Sequence, residues 1–284
     1  MACWMVKALA VTPGLLISTV VTVMVGMVLP PLAGLVLFVG GLLSAVVLLA
    51  GAGEATAARV LLFSRPVRPH ELHTLAGALT LLCRAGLGPP VIKLRVRTGE
   101  PSISAGGIGR RTVVVSGGLL EAVEDASLPQ EQAAAVIAHA AALTRGRFVR
   151  HDPVIGFWSL PWQVLTATGQ VLASVGRQLP LTPLVWRLRG VVIGIAVVQN
   201  VQLHQIWLAV TIGCIGVVSY AMPAWERRWQ QLLREAGDAA VREAGLAPAL
   251  AAFLRRCPRT PSVRARLRGL EQSSQRPAAL GLMR

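Results

Sequence analysis

The sequence predicts an α-helical integral membrane protein with about four spans and a cytoplasmic α+β part. Of its 284 residues, 54% are hydrophobic and only 14% are charged, which is too apolar for an ordinary soluble domain. Apolar stretches lie on both sides of a more polar segment, residues 54–152. A disordered chain is excluded, because so apolar a sequence must bury its surface in a core or in lipid.

Two uncharged apolar runs, residues 8–29 and 32–53, predict the first two spans. A helix needs about 20 apolar residues to cross a bilayer, so each run is long enough for one span. Pro30 and Pro31 between the runs favour a tight turn, and residues 8–53 are therefore predicted to form a transmembrane hairpin. A cleaved signal peptide is the alternative for the first run. It is disfavoured because Lys7 is the only basic residue before the run and a second span follows directly.

A second transmembrane pair is predicted within residues 153–222. Residues 154–175 are long enough to span but contain Pro161, Gln163 and Gln170. Residues 206–222 are close to the lower limit of about 17 residues for a span. One span is expected in each half, and residues 191–198 could instead form a re-entrant or interfacial piece.

The distribution of basic residues predicts the orientation. Lys and Arg number 28 in the whole chain, and residues 54–152 and 223–284 hold 12 each. Segments rich in arginine next to membrane spans favour the cytoplasmic side, and four spans put both segments there. Three arginines between the later spans oppose this assignment: Arg177, Arg187 and Arg189. The Ala-, Arg-, Gly- and Val-rich composition is typical of a high-GC bacterium, so the inner or plasma membrane of a bacterium is the expected location.

Two function classes are excluded by residue patterns. The four cysteines are far apart and form no C-x-x-C pair, which excludes a disulfide scaffold. Nucleic-acid binding is not expected, because the arginines near the C-terminus have no interleaved aromatic residues and no helix-turn-helix or zinc pattern accompanies them. Topology and contact with anionic lipid account better for this group, which comprises Arg255, Arg256, Arg259, Arg264, Arg266 and Arg268.

The polar segment is predicted to alternate helices and strands. Residues 69–87 have the leucine spacing of one amphipathic helix, and residues 91–97 and 112–116 have the patterns of strands. The glycine-rich residues 105–109 are expected to be a connection and do not match a phosphate-binding loop. Residues 129–146, with Pro first and Gly last, predict a helix that carries His139.

Five short segments occur in an order that resembles one family of membrane enzymes. They are SISAGG (102–107), VVVSGGLL (113–120), EQAAAVIAH (131–139), REAGDAAVREAG (234–245) and CPRTPSVRARLRGL (257–270). With the predicted spans between them, they are similar to the membrane-embedded zinc metallopeptidases of the HtpX and CAAX prenyl endopeptidase family over nearly the whole chain. The resemblance implies that residues 54–152 and 223–284 together form a metallopeptidase-like domain.

In that family an H-E-x-x-H helix and a later E-x-x-A-D helix hold the metal. Two histidines and a downstream glutamate bind zinc, and the glutamate after the first histidine is the general base. On this alignment His139 is retained, and Asp238 resembles the aspartate of the later helix. Ala140 stands at the general base, Leu143 at the second histidine and Arg234 at the third ligand. Glu235 is one residue away from the ligand position, which is about 100° of rotation on a helix. No catalytic residue is therefore predicted.

Other side chains would have to rebuild the site for zinc to bind. His151 and Asp152 could join Glu235, although a polar pair at the start of a membrane helix is the simpler interpretation. Even a rebuilt ligand set would lack the base at Ala140. The remaining histidines lie elsewhere in the sequence: His70, His73 and His204.

Three functions follow from these observations. The first is a catalytically inactive pseudopeptidase that binds a membrane-protein client or a partner protein. It needs no cofactor, and an extended peptide would add beside the strand of residues 112–116, which consists of Thr112, Val113, Val114, Val115 and Ser116. The second is an active zinc endopeptidase with substitute ligands. The third is a structural or assembly subunit of the membrane; in each case the lipid bilayer is a partner and the oligomeric state is open.

Overall fold

The computed structural model describes residues 3–89, 92–176 and 182–280 and divides the chain into two compact units. Unit 1 comprises Met1–Leu42 and Trp158–Gln231, and unit 2 comprises Leu43–Phe157 and Leu232–Arg284. The strands are β1 (Ser64–Pro66), β2 (Lys93–Arg97), β3 (Ala105–Ile108) and β4 (Thr112–Ser116). The helices, in chain order, are α1 (Cys3–Val28), α2 (Pro31–Ala50), α3 (Glu54–Leu62), α4 (Pro69–Thr74), α5 (Ala76–Arg84), α6 (Gly117–Glu124), α7 (Gln130–Arg145), α8 (Asp152–Trp158), α9 (Leu160–Gly176), α10 (Thr182–Gln202), α11 (Ile206–Glu243), α12 (Ala247–Arg256) and α13 (Pro261–Leu280).

Three helices of the described part of the chain are long and apolar enough to cross a membrane: α1, α2 and α11. The prediction of about four spans differs from this in the segment after residue 150. Instead of one helix over residues 154–175, the chain forms the 7-residue helix α8 and then the 17-residue helix α9. Pro161 lies at the second position of α9, where a proline is tolerated because its missing N–H would have no partner in the helix. The long apolar helices make the chain a membrane-associated protein.

In unit 1, α1 packs against α9 through small and hydroxyl side chains. The indole Nε1 of Trp158 donates to Thr19 Oγ1 at 2.9 Å, and the Trp162 N–H donates to Ser18 Oγ at 3.1 Å. The Trp162 ring also lies so close to Gly14 that an added Cβ there would be 3.1 Å from it. These are neutral hydrogen bonds at a close helix contact, the type of packing that joins helices in lipid.

Unit 2 contains a four-stranded sheet in the order β1-β2-β4-β3. β2 and β4 are parallel, with Leu94 opposite Val113, and the outer strands are antiparallel to their neighbours. β4 is buried at every position, which agrees with its run of β-branched residues in a central strand. The predicted strand of residues 112–116 is confirmed. That of residues 91–97 begins at Lys93, and Val91 lies outside the described residues.

The glycine-rich residues 105–109 were expected to be a connection, but Ala105–Ile108 form the edge strand β3. The prediction was wrong because glycine has low strand propensity by itself, whereas here a packing requirement selects it. An added Cβ at Gly107 would lie 2.7 Å from the carbonyl oxygen of Ala140. The absence of a side chain at Gly107 therefore lets helix α7 lie directly on this strand.

Helix α7 is at the centre of the hydrophobic core of unit 2. It contacts α5, α12, β3 and β4, and Ile137 and its neighbouring alanines are fully buried. Alanine has the highest helix propensity, and Gly146 follows the last turn, so this part of the prediction is confirmed. The predicted helix of residues 69–87 is instead two helices, α4 and α5, which meet at the buried Leu75.

Candidate functional site

His139 is the one polar residue in the middle of helix α7, and its surroundings define the candidate site. Its side chain is 17% exposed, whereas Ala140 and Leu143 next to it are buried. The imidazole lies against Gly237 of helix α11, where no Cβ could be accommodated. The ring of His139 leaves room only for glycine at position 237, and helices α7 and α11 therefore lie close together at this point.

Three segments that are distant in the sequence meet at His139. Its Nδ1 is buried and lies 3.3 Å from Oδ1 of Asp238. Asp238 accepts two hydrogen bonds from Arg266 of helix α13, from Nε to Oδ2 at 2.8 Å and from Nη2 to Oδ1 at 2.5 Å. Such a paired geometry is the strong form of an arginine–carboxylate contact. We call His139, Asp238 and Arg266 the polar triad.

The residues around His139 do not fit a catalytic zinc ion. Zinc requires three nitrogen, oxygen or sulfur ligands from the protein. Ala140 and Leu143 offer none, and Arg234, one turn before Asp238, is a cation. Glu235 is exposed and therefore lies on another face of α11, as the helical rotation predicted.

The remaining candidate ligands are not gathered around His139 either. His70 and His73 are exposed on helix α4, and His151 is exposed in the turn that precedes Asp152 and helix α8. His204 lies between α10 and α11 in unit 1. Over the described ranges, no group of three His, Cys, Asp or Glu side chains is close enough to hold a metal ion.

The strand expected to bind a peptide has no free edge. β4, which contains Thr112, Val113, Val114, Val115 and Ser116, is hydrogen-bonded to β2 on one side and to β3 on the other. An incoming strand cannot pair with it, so strand addition on this side of the sheet requires the edge strand β3. His139 of the polar triad lies on helix α7, and β3 packs against the same helix at Ala140.

The register shows which backbone groups β3 presents at this edge. The N–H of Ser116 donates to the carbonyl of Ser104 at 3.0 Å. Because pairing alternates in an antiparallel ladder, the even-numbered residues of β3 bond to β4 and the odd-numbered ones point outward. The outward N–H and C=O groups are those of Ala105 and Gly107. The N–H of Gly109 also points outward but already donates to the carbonyl of Val149. This leaves a short edge of two residues for an added strand.

A second polar cluster, which the sequence reading did not identify, joins Glu71 and Arg65. Both guanidinium nitrogens of Arg65 donate to the Glu71 carboxylate, one of them at 2.8 Å, and the Arg68 N–H donates to Glu71 at 2.7 Å. The hydrogen bonds from Arg65 outweigh the burial of Glu71 and lower its pKa to about 2. Arg65 and Glu71 line a cavity of about 240 Å³, and Glu121 and Glu124 line it as well.

Sequence reasoning identified His139 and Asp238 but assigned Arg266 to a solvated, lipid-facing group. The structure buries much of Arg266 against Asp238, and Arg255 pairs with Glu271 at 2.7 Å. A buried carboxylate requires a cation, but Arg234 and Arg242 lie four residues to either side of Asp238, so the sequence contained no signal that selects Arg266. For Glu71, the signal was its place as the third residue of a helix that begins with Pro69.

No protein-family model, curated protein or solved structure matches this chain. The candidate site is therefore interpreted from its own residues.

Proposed function

We propose that this chain is a membrane-embedded, metallopeptidase-like protein that binds extended polypeptide without hydrolysing it. The observation that carries the proposal is the polar triad. It joins three of the five segments that carry the resemblance to the HtpX and CAAX endopeptidase family, residues 131–139, 234–245 and 257–270, and the resemblance implies that the first two correspond to that family's metal-binding helices. In this proposal unit 2 faces the cytoplasm of a bacterium, and its client is a membrane protein or a partner protein.

Loss of hydrolysis is supported by what each side chain at the site can do. His139 offers one imidazole, and both oxygens of Asp238 already accept hydrogen bonds from Arg266. Ala140 cannot take a proton from water, which is the role of the general base in metallopeptidases. Arg266 also places a positive charge beside the carboxylate, and this charge opposes the approach of a divalent cation.

Peptide binding is supported by the backbone of β3. The outward N–H and C=O groups of Ala105 and Gly107 can pair with an extended segment, the usual mode of strand addition. Gly106 is exposed and has open space around its Cβ position, so side chains of a bound segment would meet no obstruction there. The edge is short, which predicts weak binding of a few residues rather than a long added strand.

The experiment uses the full-length protein in detergent and fluorescent casein as an unstructured polypeptide probe. Binding is followed by anisotropy, and cleavage is followed on gels with added zinc. We expect binding and no cleavage. Ala105→Pro removes an outward N–H at an edge position where proline is tolerated, and we expect it to weaken binding. Gly106→Ala keeps every N–H and is the matched control, which should bind as the wild type does.

Two results would overturn the proposal. Cleavage that disappears in His139→Ala would show an active endopeptidase with substitute ligands. Equal binding by wild type and Ala105→Pro, or no binding by either, would remove the β3 edge as a peptide site and favour a structural subunit.

A further inference from the structure

Five basic residues of unit 2 lie around the turn between β3 and β4. We call Lys93, Arg110, Arg111, Arg147 and Arg150 the basic patch. Arg110 and Arg111 form the turn, and the N–H of Lys93 donates to the carbonyl of Arg111 at 2.6 Å. The N–H of Gly109 donates to the carbonyl of Val149 at 3.1 Å, which brings the segment of Arg147 and Arg150 beside the turn.

The turn is attached to the end of an apolar helix. Nη2 of Arg110 donates to the carbonyl of Leu49 at 3.0 Å, and the Arg110 N–H donates to Glu54 Oε1 at 2.8 Å. The guanidinium also lies against Gly51, which has φ +86° and no room for a Cβ. Helix α2 ends at Ala50 and is long and apolar enough to span a bilayer. The end of such a span lies at the membrane–water interface.

A second apolar segment begins at the same place. Helix α8 begins at Asp152, two residues after Arg150, and its Gly156 packs against Leu61 of α3. Residues 153–176, which follow, contain no charged side chain. The basic patch is thus flanked by two points at which the chain changes between polar and apolar surroundings.

The charge of this region is strongly positive. Against five cations stand two acids of the same segments, Glu54 and Asp152. Glu54 accepts the Arg110 N–H and lies 3.5 Å from Thr112 Oγ1. Four of the cations are exposed, and Nε of the fifth, Arg150, is buried without a hydrogen-bond partner in the described part of the chain. The four exposed side chains are the ones that an anion from outside the chain can reach.

We propose that the basic patch binds the phosphate groups of anionic phospholipids at the end of helix α2. Arginine binds phosphate in a paired geometry, and clusters of Lys and Arg beside a span bind anionic headgroups. The site is assigned to lipid rather than to soluble phosphate because α2 and α8 place it at the bilayer surface. The bound headgroups would hold the β3–β4 turn, and with it the sheet edge, against the membrane.

The test measures the thermal unfolding of the full-length protein in detergent, with added phosphatidylglycerol or phosphatidylcholine. We expect phosphatidylglycerol alone to raise Tm, and high salt to abolish the rise because exposed charges are screened. Arg111→Gln/Arg147→Gln removes two of five cations and should remove about two fifths of the rise, since each surface cation contributes a similar amount. Arg111→Lys/Arg147→Lys keeps the charge and should keep most of it.

The matched control is Arg259→Gln/Arg264→Gln, which removes two exposed arginines of the same unit. Arg256, three residues before Arg259, donates to Ser127 O near the start of α7, whereas Arg147 follows its end, about 24 Å away along the helix. The sequence favoured topology and contact with anionic lipid for the arginines near the C-terminus, whereas this proposal places the headgroups at the basic patch, so the control should keep the full lipid response. The proposal is overturned if wild type shows no preference for phosphatidylglycerol, if the glutamine pair at 111 and 147 responds fully, or if the control loses as much.

Discussion

Helix α2 is apolar throughout, whereas helix α7 has an alanine-rich middle between polar ends, and the two helices have opposite burial. Within α2 only 6% of the most apolar window is buried, and Leu35 is 59% exposed. In α7, Ile137 is fully buried and most of the other residues are buried with it. The side chains differ accordingly: α2 is built from Leu and Val, which suit lipid, and α7 from Ala, which allows close packing against strands. The exposed apolar helix and the core helix therefore differ in side-chain size as well as in hydropathy.

The two units also bury their polar groups differently. Unit 1 uses neutral hydrogen bonds, as between Trp158 and Thr19. Unit 2 uses ionic contacts, as between Asp238 and Arg266. Breaking a largely buried ion pair leaves a charge without compensation and costs more than losing a neutral hydrogen bond. We therefore expect the stability of unit 2 to depend on a few specific contacts and that of unit 1 to depend on many weak ones.

The largest contrast is expected between truncations in the two apolar helices. Ile137→Ala leaves a cavity in the core of unit 2 and should lower the free energy of unfolding by about 2–5 kcal/mol. Leu35→Ala removes a side chain that faces the membrane in both states and should cost less than about 1 kcal/mol. Denaturant titration in detergent, followed by circular dichroism, measures both. Equal losses would mean that α2 is packed as tightly as α7.

A smaller contrast is expected between the polar contacts. Asp238→Asn removes the charge that faces Arg266 and should cost about 3 kcal/mol. Thr19→Val removes the hydrogen bond from Trp158 and should cost about 0.6 kcal/mol, the average for such bonds between membrane helices. Glu271→Gln breaks the exposed pair with Arg255 and controls for charge, with an expected cost below about 1 kcal/mol. If Asp238→Asn is no worse than Glu271→Gln, the polar triad does not stabilise unit 2.

The smallest effect is expected from the pH dependence of Glu71. Its pKa is about 2 in the folded protein against an ordinary value of 4.5. The folded state therefore gains stability that is fully present above pH 4.5 and is lost as the pH falls from 4.5 towards 2. After allowance for the partial exposure of Arg65, the gain is about 2 kcal/mol. Unfolding titrations at about pH 3 to 6 measure this contribution. The free energy of unfolding should depend less on pH in Glu71→Gln than in the wild type.

The sequence predicted those parts of the fold that depend on local patterns. The short apolar run of residues 112–116 predicted β4, and the helical segment between Pro129 and Gly146 predicted α7. It failed where tertiary contacts decide. The glycines of β3 form a strand because α7 packs on Gly107, and residues 154–175 form two helices. For the site, the resemblance pointed to His139 and Asp238, but Arg266 and the free edge of β3 required the three-dimensional arrangement.

The most direct test of the account is the zinc content of the full-length protein purified in detergent, measured for wild type and His139→Ala. We predict that neither protein retains bound zinc, because in the described part of the chain no group of three His, Cys, Asp or Glu side chains is close enough to hold a metal ion. We also predict that chelator leaves the unfolding of both unchanged. One zinc ion per wild-type chain, lost in His139→Ala, would contradict the account and show that substitute ligands hold a metal at this site.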